Sequence, residues 1–431
     1  MDVLLANSRT PDERRGDLDA QLGANAVGVS RLCSLFVGGD RAFDEVLDYG
    51  ERRMRAAVGA LPDGTYSFAD VLDSPRADVV VRVDVAGDSI TFDFTGSSPQ
   101  RRGNVNAVEA VTVSSVSFAL RSVVDPTMPA NGGAMRCVSV VAEPGSVVCA
   151  VPPAAVGAGN VEVSQRVADV CLGALAQAVP SRVGAASQGT MNNVLIGGRS
   201  GGGWVYYETI GGGQGGRPGS SGRAGMSGVH TAMTDVADEK HPSGEPRSGQ
   251  SGIPTNTTNT VEETRQLAGQ PRPGQSGIHT NMTNTTQLDY QSHGQSGIHT
   301  GMTNTLNTPI EALERGFPMR VVRYTLRRGS GGAGLAAGGE GIERDMQVLE
   351  DCTVSLITER RLSRPWGLDG GEPGAVGENW LLRGGDETRA ERLPDKCTVE
   401  LKAGDVVRML TPGGGGFGPS RALIRLPTRD L

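Results

Sequence analysis

The five histidines of this 431-residue chain all fall between positions 230 and 299: His230, His241, His279, His293 and His299. Imidazole is the commonest metal ligand, so a metal array is the first chemistry to test. Three of the five sit in one recurring phrase. "GQSGIHTNMTNT" (274–285) returns as "GQSGIHTGMTNT" (294–305), and weaker copies stand at 226–235 and 249–260. The second copy carries Pro254 where the others have histidine, and no carboxylate keeps a fixed offset from the rest. Ligating histidines need partners held on a rigid scaffold, so the pattern argues against an array. The copies begin at Ser227, Ser251, Ser276 and Ser296, a drifting period with almost no apolar text between them. A solenoid needs a steady period and an apolar face in every repeat. The expectation is a local duplication whose surplus copies loop out as a disordered insertion.

Other reactive patterns are weak. "GGGQGG" (211–216) and "GGGGFG" (413–418) satisfy G-x-G-x-x-G and follow strand-like text, but Pro218 and Pro419 follow closely and no helical pattern does. A dinucleotide fingerprint must open a helix whose N-terminus meets the pyrophosphate. The runs are read equally as anion-lining turns or as close backbone packing. No G-K-[ST] follows a glycine run, so the chain shows no ATP loop of its own, and G-x-S-x-G and H-E-x-x-H are absent. Ser187 lies in a polar loop with no histidine in a nearby motif, which points to structure rather than nucleophilic attack.

The elements that must position any site are α and β mixed. Apolar spacing predicts helices over 12–32 and 40–60, a buried helix in 104–124, and a strong helix over 161–179 with Asn160 as N-cap candidate. "ADVVVRVDV" and "SITFDFTG" flank "AGD" as a hairpin. Two short strands are expected in 137–151, one at 204–210, others at 317–326 and 347–360, and a final pair before 418. The expected domains are a helical segment (1–62), an α/β core (63–230), the insertion (231–295) and a β-rich remainder of the core (296–431). Glycine is abundant at 63 residues, the formal charge is −7, and the lysines are Lys240, Lys396 and Lys402. No basic stripe suits nucleic acid. The six dispersed cysteines include no C-x-x-C, and most read as small apolar core residues. No apolar run reaches about 18 residues and no secretion signal opens the sequence, so a cytoplasmic protein off the membrane is expected.

Longer phrases then fall into order: "DFTGSSPQRRGNVNA" (93–107), "GNVEVSQRVADVCLGAL" (159–175), "ASQGTMNN" (186–193), "YYETIGGGQGGRPGSSG" (206–222), "HTGMTNTLNTPIEALE" (299–314) and "LTPGGGGFG" (410–418). Together they resemble the hydantoinase B/oxoprolinase family. The resemblance implies a mixed, multi-layer α/β fold and a B-type subunit of an ATP-dependent cyclic-amide hydrolase, opening 5-oxoproline, N-methylhydantoin or a related lactam. An A-type ATP-binding partner would phosphorylate the ring carbonyl oxygen, giving a hetero-oligomer. The alternatives are an acetone-carboxylase-like subunit or an inactive homologue acting through interactions alone. The matching positions imply pocket residues Asn104, Asn106, Asn160, Glu162, Gln165, Gln188, Asn192, Asn193, Glu208, Gly211, Gly212, Gly213, His299 and Thr300, with no general base assigned. A divalent metal is implied, but the family phrases that look like its ligands lie upstream of the pattern found here. The chain is therefore expected to be an N-terminally truncated member. His299 has the matching downstream neighbour and His230 the matching upstream one, so His299 is taken as the native copy.

Overall fold

The computed structural model describes residues 1–8, 11–35, 41–199, 203–218 and 293–420. The surplus phrase copies, with His230, His241 and His279, lie outside them. Helical spacing of apolar residues makes the first elements, α1 (Asp2–Ala6), α2 (Pro11–Leu35) and α3 (Arg41–Val58). On α3 only the C-terminal part of the stripe is buried: Met54 and Val58 are fully covered, whereas Phe43 and Val46 are exposed. On α2 the stripe is not buried. Leu22, Val29 and Leu32 are exposed, because a narrow stripe interrupted by Asn25 meets no layer of the core among the described residues.

The hairpin forms as the alternation requires. Strands β1 (Gly64–Leu72), β2 (Ala77–Ala86) and β3 (Ser89–Asp93) are antiparallel neighbours, and every second residue of β2 is buried. The helix α4 (Glu109–Val124) then leads to β4 (Val138–Val141), which joins β3 in parallel. The helix α5 (Ser164–Ala178) packs on β1, β2 and α4. Phe92, Phe94, Leu72, Leu120 and Leu175 fill the core between them. Burying each such side chain contributes about 1.5–3 kcal/mol.

A second core holds the rest. Strands β5 (Asn193–Gly198) and β6 (Trp204–Thr209) are followed by α6 (Ile310–Gly316), β7 (Met319–Arg327), β8 (Gly341–Val348) and β9 (Cys352–Ile357). Then come β10 (Glu378–Leu382), β11 (Ala390–Leu393), β12 (Lys396–Leu401) and β13 (Val406–Leu410). They make two sheets, ordered β11-β10-β13-β8-β7 and β12-β9-β5-β6, whose facing sides share one apolar cluster including Ile196, Val354, Met346 and Met409. The fold is mixed helix and sheet in several layers, as the sequence implies. Among the described residues, no helix is long and apolar enough to cross a membrane.

Four local readings need correction. The second strand expected in 137–151 is a turn: Gly145 takes a φ of 89°, and the following backbone bonds other loops, Val147 N–H to Ser98 O and Ala150 N–H to Ala107 O. The stretch 347–360 is not one strand, because a turn at 349–351 separates β8 from β9. Strands β1 and β5 were not expected, since their apolar residues are diluted by polar and glycine neighbours. Asn160 does not cap α5. That helix enters through a π-helical turn at Gly159–Val163, with Asn160 exposed inside it.

The glycine runs pack backbone against backbone. Residues 211–216 and 413–418 lie extended among 294–297, 331–341 and 367–374, joined by Gly213 N–H to Pro412 O (3.0 Å), Gly216 N–H to Gly415 O (2.8 Å), Gly414 N–H to Gly339 O (2.9 Å) and Gly416 N–H to Glu372 O (2.8 Å). A Cβ on Gly213, Gly414 or Gly416 would overlap the carbonyl oxygen of Gly339, Gln214 or Ala333. Glycine is required here because no side chain fits between the strands. These amide groups are engaged by carbonyls rather than turned toward a ligand.

Candidate functional site

Side chains alternate across a strand, so the sheet β12-β9-β5-β6 has two faces. One carries Val194, Ile196, Tyr206, Val354 and Leu356 into the second core. The other carries three rows set by the strand register: Thr209, Asn193, Ile357 and Lys396; then Tyr207, Leu195, Ser355 and Thr398; then Val205, Gly197, Thr353 and Glu400. The second and third rows floor an open cleft of about 460 Å³, lined by Leu195, Gly197, Val205, Tyr207, Thr353, Ser355 and Thr398, with Arg14 of α2 at its rim. The first row is covered, and it is where the charged side chains gather.

The π-helical turn before α5 points Glu162 at that row. Inserted π turns recur at functional sites because they redirect a side chain that a regular helix would place elsewhere. Glu162 is wholly buried. Its Oε1 accepts from Asn193 Nδ2 (3.1 Å) and from the Met191 N–H (3.3 Å), while Oε2 has no hydrogen-bond partner. Burial and then the nearby Glu359 carboxylate push its pKa up to about 8, against the Thr190 hydroxyl and the cations of Lys396 and Arg361. It is a neutral acid at pH 7. Asn193 Nδ2 also donates to Ile357 O (3.2 Å), and Asn193 Oδ1 accepts from the Tyr207 hydroxyl (2.6 Å). One chain of contacts thus runs from the buried acid to the cleft.

Behind it lies a network of buried charge. Lys396 Nζ donates to Glu359 Oε1 (2.5 Å) and Asp395 Oδ2 (2.8 Å). Burial works against the lysine's charge, but those two carboxylates prevail and raise its pKa. Arg361 donates to Asn192 Oδ1 (2.7 Å) and Asn379 Oδ1 (2.8 Å), and burial pulls its pKa down to about 10. Arg360 bridges Asp169 (2.6 Å) and Asp70 (2.8 Å). Asp73 accepts from the N–H groups of Arg361, Leu362 and Ser363. This run, "TERRLS", locks α5 and β1 of the first core onto the sheet of the second.

Glu208, His299 and Asn307 form a separate knot on the inner side of the sheet. Glu208 accepts from Tyr206 Oη (2.5 Å), Asn307 Nδ2 (2.9 Å) and the Thr308 N–H (2.8 Å), and pairs with the fully buried Arg344 at 2.7 Å. Asn307 Nδ2 donates also to Thr209 O, so its Oδ1 faces His299 Nε2 at 3.1 Å. That fixes the proton on Nε2. Burial lowers the pKa of His299, so the ring is neutral. His299 therefore serves as a structural donor here. His293 instead accepts from the Ala337 N–H through Nδ1.

The remaining positions scatter. Gln188 and Asn192 bond each other (2.7 Å) next to Glu162's loop, Asn192 at a φ of 50°. Gln165 donates to Thr303 Oγ1 (2.9 Å) and, with Thr300, Ser187 and Trp366, lines a narrow crevice with room for about one water. Gly212 exchanges two backbone bonds with Ile298 (2.9 Å), and Gly211 and Gly213 pack as spacers. Asn106 holds a loop together through Arg101, Gly103 and Ala155. The Asn104 carbonyl accepts from the Ala158 N–H, and Asn160 is exposed in the π-helical turn that carries Glu162. The structure thus gathers Glu162, Gln188, Asn192 and Asn193, with Gln165 and Thr300 at one margin and Glu208 and His299 across the sheet. Sequence reasoning did not select Tyr207, Lys396, Glu359 or Arg361. Their only local signal is the dense charge of "TERR" after an apolar strand.

The described residues hold no group of three or more His, Cys, Asp or Glu arranged to take a metal ion. The carboxylates of the buried charge network are engaged by Arg, Lys and backbone N–H groups, and among the described residues they do not form the ligand set of the divalent ion that the family implies.

Comparison with known proteins comes out consistently. The family profile described as Hydantoinase B/oxoprolinase matches residues 1–239 and 289–420. An uncharacterized protein of Methanocaldococcus jannaschii is 35% identical over 439 residues, covering 100% of this chain and 64% of its own length. A chain of Pseudomonas sp. strain NS671, provisionally named as the B subunit of a D-/L-hydantoinase, is 28% identical, again covering 100% and 64%. The chain thus spans under two thirds of either relative. In structure, it is similar to an ATP-dependent caprolactamase from Pseudomonas jessenii, with a TM-score of 0.69, 22% identity, and coverage of 97% of this chain and 63% of that one.

Proposed function

This chain belongs to the hydantoinase B/oxoprolinase family, and from that premise we propose that it is the B-type part of an ATP-dependent cyclic-amide hydrolase. A relative named as one subunit of a hydantoinase supports a partner chain, and a structural neighbour named for ATP and caprolactam supports lactam chemistry. The partner is an A-type ATP-binding subunit, since this sequence has no phosphate loop of its own. The substrate is 5-oxoproline, N-methylhydantoin or a related lactam, and the assembly works in the cytoplasm.

The observation that carries the placement is the sheet-face cleft backed by a neutral buried acid through Asn193 and Tyr207. An amide carbonyl is a poor electrophile, and phosphorylation of its oxygen by the partner turns that oxygen into a leaving group. This chain's own residues then have three tasks. The cleft floor of Leu195, Val205 and Gly197 excludes water from one face of the ring. Ser355, Thr398 and Tyr207 orient its polar edge. Glu162 holds a proton close by in a site that disfavours the carboxylate. No step is routed through a metal, for which the described residues make no ligand set.

The test is direct. The chain is purified with an A-type partner and given 5-oxoproline or N-methylhydantoin with ATP. Ring-opened product and ADP forming together, and only with both chains present, are expected. ATP turnover without ring opening of either substrate overturns the reading.

A further inference from the structure

The polarity of the Tyr207 hydroxyl is fixed by its neighbours. The carbonyl oxygen of Ile357 can only accept, so the Asn193 group 3.2 Å away is its NH2. The other hydrogen of that NH2 goes to Glu162 Oε1, and the Asn193 carbonyl must then face Tyr207 Oη at 2.6 Å. The phenol is therefore the donor in that bond. Its one hydrogen points inward, and only lone pairs remain for the cleft, into which the ring stands 55% exposed. Tyr207 is an obligate acceptor toward any ligand.

The opposite side of the cleft has the complementary polarity. Ser355 Oγ and Thr398 Oγ1 lie 2.9 Å apart, and one hydrogen suffices for the bond between them. The second hydroxyl hydrogen is left to donate. Tyr207 and Ser355 occupy one row with Leu195 between them, two strand spacings or about 9.5 Å apart at the backbone. A ring amide holds its N–H and C=O on the same edge, with N and O about 2.3 Å apart. Both hydrogen bonds to that edge point to one side of the ring, so the edge needs an acceptor and a donor within one row, as Tyr207 and Ser355 are. Leu195, Val205 and Gly197 offer an apolar floor for the ring carbons. The charged side chain in the lining is Arg14, which is paired with Asp17 at 2.6 Å.

We propose that this cleft recognises the N–H/C=O edge of a cyclic amide, with Tyr207 as the acceptor that selects an unsubstituted ring nitrogen. The inference rests on the function proposed above and narrows its substrate class. Glu162 and Asn193 act as positioning residues, since they decide which way the phenol hydrogen points.

The probes are 2-pyrrolidinone and N-methyl-2-pyrrolidinone, titrated by NMR into the intact chain and into Y207F. Wild type should bind 2-pyrrolidinone roughly tenfold more tightly than the N-methyl ring, the equivalent of one hydrogen bond. Y207F should lose that preference while binding the N-methyl ring unchanged. A preference that survives in Y207F, or no binding of 2-pyrrolidinone to wild type, overturns the proposal. The two readings fail separately. Correct lactam discrimination without ATP-dependent ring opening in the presence of the partner sinks the enzymatic function and leaves the recognition standing. Ring opening by Y207F with a KM equal to wild type does the reverse.

Discussion

Replacing Glu162 by Gln removes an ionisable group from a site that resists its charge. The side chain keeps its size, and its Oε1 still accepts from Asn193 and Met191. The folded pKa of about 8 stands against a reference of 4.5. The sign follows from linkage: the folded state holds this proton more tightly than the unfolded state. Glu162 therefore adds no penalty below pH 4.5, and its penalty grows as pH rises until the folded group itself ionises near pH 8. At 1.36 kcal/mol per pH unit, the full gap of 3.5 units corresponds to roughly 5 kcal/mol. Between pH 5 and 8.5 the difference in stability between variant and wild type should swing by roughly 3–4 kcal/mol, in favour of the variant at the alkaline end. Denaturant midpoints of both proteins, measured every half pH unit over that range, would show it. A flat difference across the range, or one that swings toward wild type as pH rises, refutes the reasoning that Glu162 is held neutral by burial.

Other perturbations follow from the same structure. Arg360→Met leaves Asp169 without its cation and strips one from Asp70, and breaking such a buried pair costs about 3–5 kcal/mol, visible as a large drop in urea midpoint. Gly414→Ala drives a methyl group into the Gln214 carbonyl, so the glycine layer must part; thermal denaturation should lose at least about 2 kcal/mol of stability, more than typical surface substitutions. Excising residues 240–288, which the family profile does not match, should leave the thermal midpoint within about 3 °C of the full chain, a shift worth under about 1 kcal/mol.

Much of the fold was legible because its signals are local. The alternation in β2 and the stripe of α5 report burial directly, and α3 forms where its spacing says although only its C-terminal part is buried. The failures have local causes too. Asn160 has the right residue type before a helix, but the π-helical turn moves the helix start past it. The site was less legible. The motif positions led to Glu162, Gln188, Asn192 and Asn193, which do assemble, whereas Asn104 and Asn106 belong to a loop beside the π-helical turn and Asn160 is exposed within that turn. Tyr207 stood inside a quoted motif without being chosen, because nothing local distinguishes it from Tyr206, which the strand pleat sends to the opposite face.

By itself, the sequence determined the family, the mixed helix and sheet content, and the insistence on glycine at 211–216 and 413–418. These properties live in residue type and short-range order. Tertiary structure alone decided which glycine amides face backbone, that His299 is a neutral donor beside Asn307, and that Glu162 keeps its proton. It also brought Glu359 and Arg361 behind the row that Asn193 shares with Lys396. Each of these depends on strands far apart in the chain coming into register, and on the low polarity that their packing creates. A pKa or a hydrogen-bond direction belongs to that environment and cannot be read from the residue alone.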